Sequence, residues 1–245
     1  MTQLYTTYAD LYHKMYQSFI DYDEEYNYYK NLVDREGAKT ILEIGCGTGQ
    51  LAYRFVNDGY VYVGIDISDE MLNYARAVLP EKHFRKMDMR SLSFETPFDA
   101  VMITARSISY LLTNNDVNDA FRSIKNVLNK NGTLIFDFIN AESFIPDISE
   151  DEVIHHEVMI DGVKYKRESM FNKKVTTSWN WIWRSTFLKE EQGKFETIGS
   201  DKAELRAFTV DEIGIFLKLS GFRVKDILER KVYAFDTRVV IAKRA

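Results

Sequence analysis

The stretch 40–50, Thr-Ile-Leu-Glu-Ile-Gly-Cys-Gly-Thr-Gly-Gln, restricts what this chain can fold into more than any other. Ile41, Leu42 and Ile44 form a short apolar run of the kind that becomes a buried parallel strand. Gly45, Gly47 and Gly49 follow at once, where the backbone must turn sharply and lie close to a ligand. A strand that runs into a glycine-rich turn and then a helix builds a nucleotide-type site. Spacing decides which nucleotide. A dinucleotide turn needs glycine or alanine three positions beyond its second glycine, and here Gln50 stands in that place.

Strand and helix signals alternate after this turn. Residues 51–56 give a short helix closed by Gly59, and residues 60–67 a second strand ending at Asp66. Ser68 is a good N-cap, with Asp69 and Glu70 in the first turn and Met71, Leu72, Ala75, Val78 and Leu79 on the buried face until Pro80. A weak third strand is expected over 83–89 and a clear fourth over 98–104. Val117, Ala120, Phe121, Ile124, Val127 and Leu128 then mark an amphipathic helix, expected to stop at Asn131-Gly132 before a fifth strand over 133–139. This order predicts an α/β fold: a doubly wound, mostly parallel, seven-stranded Rossmann-like sheet.

The pattern changes after Asn140. Runs of strand character over 153–160, 163–171, 175–188 and 194–208 are separated by Asp161-Gly162, Asn172-Lys173 and Gln192-Gly193, which read as hairpin turns. An antiparallel β insert after the fifth strand follows, over 142–207. Thr209 then caps a helix carrying Ile213, Phe216, Leu217 and Leu219, and the parallel pattern is expected to resume with strands over 223–229 and 238–242. The cofactor-binding domain is therefore 37–141 with 208–245. Residues 1–36 are dense in tyrosine and form an N-terminal helical lid, with Tyr22, Tyr26, Tyr29 and Val33 on one packed face.

Composition narrows the partners. A net charge of −5 and a pI of about 5.5 disfavour a phosphate backbone, which is bound through clustered Lys and Arg. The single cysteine, Cys46, excludes an internal disulfide and suits a reducing compartment. No apolar run reaches the length of a membrane span, and residues 1–10 lack the basic-then-apolar pattern of a signal peptide. The expectation is a cytoplasmic protein with a small-molecule substrate, no nucleic-acid or membrane partner and no metal; a homodimer is compatible with it.

Two acids follow the strands at the right places for a nucleoside. Asp66 ends the second strand, about 20 residues after Gly45, where its two oxygens can accept from both ribose hydroxyls and would repel a 2′-phosphate. Asp88 and the amide of Met89 stand after the third, placed for the edge and amine of an adenine. Adenine and ribose without phosphate fit best. At this point the chain resembles the class I S-adenosylmethionine-dependent methyltransferases. The likeness is carried by Leu42-Glu43-Ile44-Gly45-Cys46-Gly47-Thr48-Gly49, by Asp66 followed by Ser68-Asp69-Glu70-Met71-Leu72, by Asp88-Met89-Arg90 and by Phe98-Asp99-Ala100-Val101. The resemblance implies S-adenosyl-L-methionine as cofactor, with Gly45, Cys46, Gly47 and Gly49 at its methionine part and ribose, Asp66 on the ribose and Asp88 with Met89 on the adenine. Ile67, Met71 and Thr104 are expected to complete that site.

Ala9-Asp10-Leu11-Tyr12, Tyr22, Ser107-Ile108-Ser109-Tyr110-Leu111 and the antiparallel insert are similar to small-molecule N-methyltransferases, amino-sugar N,N-dimethyltransferases among them and glycine N-methyltransferase more distantly. That likeness implies methylation of a small-molecule amine, with Tyr12 and Tyr22 near the sulfonium or the methionine carboxylate. Candidate bases are Tyr12, Asp137 and one of His155 and His156, which as strand neighbours must point to opposite faces. Arg106 after the fourth strand, where the amino-sugar enzymes tend to have a small residue, and Arg206 at the end of the insert could each hold an anionic group of the acceptor. Trp179, Trp181 and Trp183 share one strand face and suit the core of the insert, with an interface or an acceptor wall as alternatives. Competing readings are a methyltransferase acting on RNA or protein, a non-catalytic binding module and an NAD-linked enzyme. Thr104-Ala105-Arg106-Ser107 lacks the Asn/Asp-Pro-Pro-aromatic turn of enzymes that methylate exocyclic amines, and Gln50 disfavours NAD.

Overall fold

The computed structural model describes residues 2–174, 178–232 and 235–245. Helices α1 (Ala9–Phe19) and α2 (Tyr22–Arg35) precede β1 (Thr40–Ile44), α3 (Gln50–Asn57), β2 (Val61–Asp66), α4 (Asp69–Val78), β3 (Phe84–Lys86) and β4 (Phe98–Ile103). Helix α5 (Asn114–Val127), β5 (Leu128–Ile139) and α6 (Ala141–Asp147) lead to β6 (Ile154–Ile160), β7 (Val163–Lys173), β8 (Asn180–Glu191) and β9 (Lys194–Arg206). Helix α7 (Val210–Leu219) and strands β10 (Phe222–Val232) and β11 (Phe235–Arg244) close the chain. The strand order is β10-β11-β5-β4-β1-β2-β3, so successive connections leave β1 in opposite directions. A ligand crevice opens where the order reverses, at the carboxyl ends of β1 and β4.

Both faces of this sheet are covered, which explains the nearly continuous apolar runs in its strands. Leu42, Ile44, Val101, Ile103 and Phe136 pack with Phe121 and Ile124 of α5 and Leu217 of α7. Their strand neighbours Ile41, Ala100, Met102 and Ile135 face the opposite way, onto Tyr29 and Val33 of α2, Phe55 of α3 and Leu72 of α4. The expected tyrosine face of α2 is thus part of the main core.

Three expectations change. Of the last two strands only β10 resumes the parallel direction: β11 lies between β10 and β5 and runs antiparallel to both. A connection as short as theirs cannot make the crossover that parallel strands need. Helix α5 ends at Val127, and Asn131, at φ 66°, lies within β5 rather than stopping the helix. Asn172 and Lys173 continue β7 opposite Ile182 and Trp181. That dipeptide lacks the glycine of the two turns that do form, Asp161-Gly162 and Gln192-Gly193, where both residues have positive φ. The expected start of the next strand, at Val175, lies outside the described residues. Helix α6, with Pro146 inside it, had no sequence signal.

Strands β6-β7-β8-β9 form a separate antiparallel sheet. Helix α1 packs on this sheet: Met15 and Tyr16 cluster with Phe187 of β8, flanked by Tyr8, Phe19, Val158 and Ile160. The amide of Gln3 also donates to Asp201 of β9 at 2.8 Å. The two helices of the first 36 residues therefore have different partners, α2 the core and α1 the insert. Among the described residues no helix is long and apolar enough to cross a membrane.

Candidate active site

A cavity of about 540 Å³ lies over the carboxyl ends of β1, β2, β4 and β5, roofed by α1 and the insert. Its floor begins at the glycine turn. The amides of Gly45 and Cys46 both donate to the Ile65 carbonyl, at 2.8 and 3.0 Å, which fastens the turn to β2. Gly45 has φ 72°, and a Cβ there would stand 2.3 Å from Ser107 Oγ, so only glycine lets the two loops approach. Gly49 has a different task. A Cβ on it would meet Ala75 Cβ at 3.0 Å and Phe84 at 3.3 Å, so it lets the start of α3 pack against α4 and β3. Gly45, Cys46 and Gly47 line the cavity, and Gly49 lies just behind the lining residues Thr48 and Gln50.

Asp66 lines the cavity beside this turn. Its Oδ2 accepts the Gly47 amide at 3.0 Å and its Oδ1 the Ser68 amide at 2.9 Å. Burial pushes its carboxyl up, and the two amides draw it back down. Ser68 caps α4 by accepting the Met71 amide at 3.2 Å, and donates its hydroxyl to the Tyr5 carbonyl at 2.6 Å. Ile67, Met71, Met87 and Met89 supply apolar wall on this side. Asp88 also lines the cavity, with its carboxylate gripped by Arg90 at 2.6 Å, which holds its carboxyl below the usual range.

One acid here had no separate sequence signal. Glu43, penultimate in β1 and 2% exposed, accepts the Tyr62 hydroxyl and, at 2.7 Å, the hydroxyl of Thr104. Burial outweighs both donors and pushes its carboxyl up to about 7. Thr104 thus reaches the cavity wall as a partner of Glu43. The next two residues, Ala105 and Arg106, both have left-handed backbone, at φ 52° and 62°. Consecutive non-glycine residues in that region need outside support. It comes from Asp137 of β5, whose Oδ1 accepts the Arg106 amide at 2.8 Å. Asp137 is 2% exposed and lines the cavity with Arg106, and burial pushes its carboxyl up. The Arg106 guanidinium lies 5.3 Å over the Phe235 ring.

The same end holds a pair that sequence reasoning missed. Arg230 of β10 makes a two-point contact with Glu25 of α2, at 2.6 and 3.2 Å, and lies 3.9 Å over the Tyr28 ring. The partners are 205 residues apart, too far for any local pattern to link them. Tyr5, Tyr12, Tyr16, Tyr22 and Tyr110 also line the cavity, Tyr12 stacked on Tyr16 with centroids 4.1 Å apart and Tyr110 donating to the Tyr5 hydroxyl at 2.9 Å.

Three candidates lie elsewhere. His155 points outward from β6, the edge strand of the insert, with its half-exposed ring 3.5 Å from Glu168. His156 faces inward but meets Arg167 at 3.5 Å rather than the cavity. Arg206 is 1% exposed, bonded to Glu212 at 3.0 Å and stacked 4.7 Å over Phe208, so its charge is already matched inside the fold. The tryptophans divide. Trp181 is fully buried against Phe144 and Phe171, Trp183 reaches the cavity wall, and Trp179 is exposed.

The donor set fits S-adenosylmethionine. A carboxylate at the end of β2 can take two adjacent hydroxyls, the methionine-lined wall suits a flat heteroaromatic ring, and the glycine turn offers backbone with no side chain in the way. A methyltransferase-domain family matches residues 41–132. A Bacillus subtilis (strain 168) protein named as methyltransferase YqeM is 28% identical over 229 residues, covering 90% of this chain and 87% of that one. The dTDP-3-amino-3,4,6-trideoxy-alpha-D-glucopyranose N,N-dimethyltransferase of Streptomyces venezuelae is 30% identical over 98 residues, which is 40% of this chain and 41% of that protein. Among solved structures, Streptomyces venezuelae DesVI matches with a TM-score of 0.79 at 24% identity, over 94% of this chain and 95% of that one.

Proposed function

We propose that this chain is a class I S-adenosylmethionine-dependent methyltransferase and that its acceptor is an amine nitrogen of a small molecule. The observation that carries the proposal is the roof. The cavity is covered by α1 and by the insert, which leaves room for a metabolite and favours it over a folded RNA or protein. The sugar amine in the name of the Streptomyces venezuelae relative supports nitrogen. An acidic chain whose single cysteine is a buried free thiol suits the cytoplasm.

S-adenosylmethionine, when bound, supplies a methyl group on a positively charged sulfur. Asp66 is assigned the ribose hydroxyls, Asp88 and the Met89 amide the adenine, and the turn from Gly45 to Gly47 the methionine part, with Ile67, Met71 and Thr104 beside them. Tyr12 and Tyr22 are assigned to the methyl-bearing end. Asp137 is the residue suited to the acceptor nitrogen. Its burial favours either a neighbouring ammonium or the proton that an amine releases, and the Arg106 amide keeps its carboxylate in one orientation. The protein contributes chiefly alignment, which in well-oriented reactions supplies on the order of 7–11 kcal/mol.

Calorimetry with S-adenosylhomocysteine tests the donor side. Asp66→Ala is expected to bind at least tenfold more weakly, since charge-assisted hydrogen bonds contribute about 1.5–3 kcal/mol each. Transfer of labelled methyl to a metabolite extract, to total RNA and to protein tests the acceptor side. Label in small amines supports the proposal; label confined to RNA or protein, or carried on oxygen or carbon, sinks it.

A further inference from the structure

Among the described residues Arg167 and Arg206 are buried and Arg230 is mostly so; Arg206 is neutralised by Glu212 and Arg230 by Glu25. Arg167 of β7 is the exception. It is 1% exposed, and among the described residues no carboxylate lies within ion-pair distance of it. Its Nη1 donates to the Tyr16 hydroxyl at 3.0 Å, its Nη2 lies 3.5 Å from His156 Nδ1, and its Nε has no partner. The guanidinium is surrounded by the rings of Trp183, Tyr16 and Phe19 at 5.1, 5.7 and 6.0 Å. The nearby imidazole offers no negative charge, and burial and the guanidinium both push its proton affinity down. Asp201, on the same face of the insert, is occupied by the Gln3 amide at 2.8 Å.

A buried cation without an anion is costly, and aromatic faces compensate only part of the lost hydration. Other donors on this face are also unmatched. Ser169, two residues along β7 and 1% exposed, has a hydroxyl without a partner, and so has the indole nitrogen of Trp183. The link to the cavity runs through Tyr16, which lines it together with Trp183. The Tyr16 oxygen is committed as acceptor to Arg167, so its own proton is the one to donate outward. We propose that this wall is an anion subsite: a carboxylate or phosphate oxygen of the acceptor accepts the Tyr16 hydroxyl, with Arg167 as its counter-charge. The substrate class becomes an amine that also bears an acidic group. This deepens the proposed function and rests on the cavity's being the acceptor site.

Inorganic phosphate is the probe, titrated at low chloride into the S-adenosylhomocysteine complex and followed by tryptophan fluorescence, since Trp183 adjoins the guanidinium. The parent is expected to show a saturable change, weakened at least tenfold in Arg167→Met and several-fold in Tyr16→Phe, and unchanged in the surface control Arg122→Met. Thermal unfolding separates a structural role. Arg167→Met removes an uncompensated buried charge and is expected to melt no lower than the parent, whereas a lower melting temperature with an intact phosphate response overturns the subsite. No saturable response in the parent, or an equal one in Arg167→Met and Tyr16→Phe, also overturns it. The cofactor carries a carboxylate too. Loss of S-adenosylhomocysteine affinity in Arg167→Met, with the phosphate response retained, assigns the cation to the cofactor and overturns the proposal. A parent that does not bind S-adenosylhomocysteine counts against the functional reading instead, and the phosphate titration is then read on the protein alone.

Discussion

Glu43 shows how a single residue can carry more than its place in a motif suggests. It stands in the run Leu-Glu-Ile-Gly, yet its acidity is set by residues that the run does not contain, Tyr62 on the neighbouring strand and Thr104 at the end of β4. Its carboxyl titrates near 4.5 when exposed and at about 7 in the fold, so the folded chain holds the proton more tightly. The associated stabilisation is complete below 4.5 and is lost as the pH rises through 7. At about 1.36 kcal/mol per unit, the difference amounts to about 3 kcal/mol. Glu43→Gln is therefore expected to melt above the parent at pH 8, with the gap closing at pH 5; a gap independent of pH would show that this carboxyl is not the group responsible. The place of Asp66 at the end of β2, in contrast, was readable in advance, because the strand and the spacing that mark it are local. Glu25 and Arg230 were not, since neither means anything without the other.

Elements were legible where one local rule governed them. Thr209, expected as a cap, forms a capping box with Glu212 on α7; the structure shows the same device on α5, between Thr113 and Asp116. Ends failed where a pairing partner overruled the local signal. Asn131-Gly132 falls at an irregularity within β5, where the pairing with β4 jumps from Phe98 with Leu128 to Ala100 with Thr133, and Asn172-Lys173 stayed in β7 because β8 pairs with it. Glu212 also shows an element fastened by a side chain with two duties: it caps α7 and neutralises Arg206, at the end of β9. Removing one partner of a buried pair leaves an unmatched charge, which costs about 3–5 kcal/mol. Glu212→Gln is expected to lose about 3 kcal/mol in denaturant unfolding, and Arg206→Met in the same chain to restore most of it. An unaltered midpoint in the single variant would mean that the pair contributes nothing to holding the insert.

Across the whole molecule, the part of the cavity proposed for the donor is made by the sheet and its turns, whereas the wall proposed for the acceptor is made by α1, the insert and the last strands. That division explains what the sequence could tell. Strand ends and glycine spacing are local and name the cofactor; the wall depends on contacts such as Tyr16 with Arg167, 151 residues apart. The roof is also fastened to itself, through the Gln3 amide on Asp201 and the packing of α1 on β8. A chamber closed in this way has an exit as well as a floor, and the demethylated cofactor must leave through it before the next cycle begins. Turnover then becomes a matter of traffic: the first methyl transfer should outrun all later ones, because only the later ones wait for the roof to lift. Rapid-quench measurements are expected to show an initial burst close to one product per protein, followed by a slower steady rate, and a strictly linear time course would place the slow step in the displacement itself.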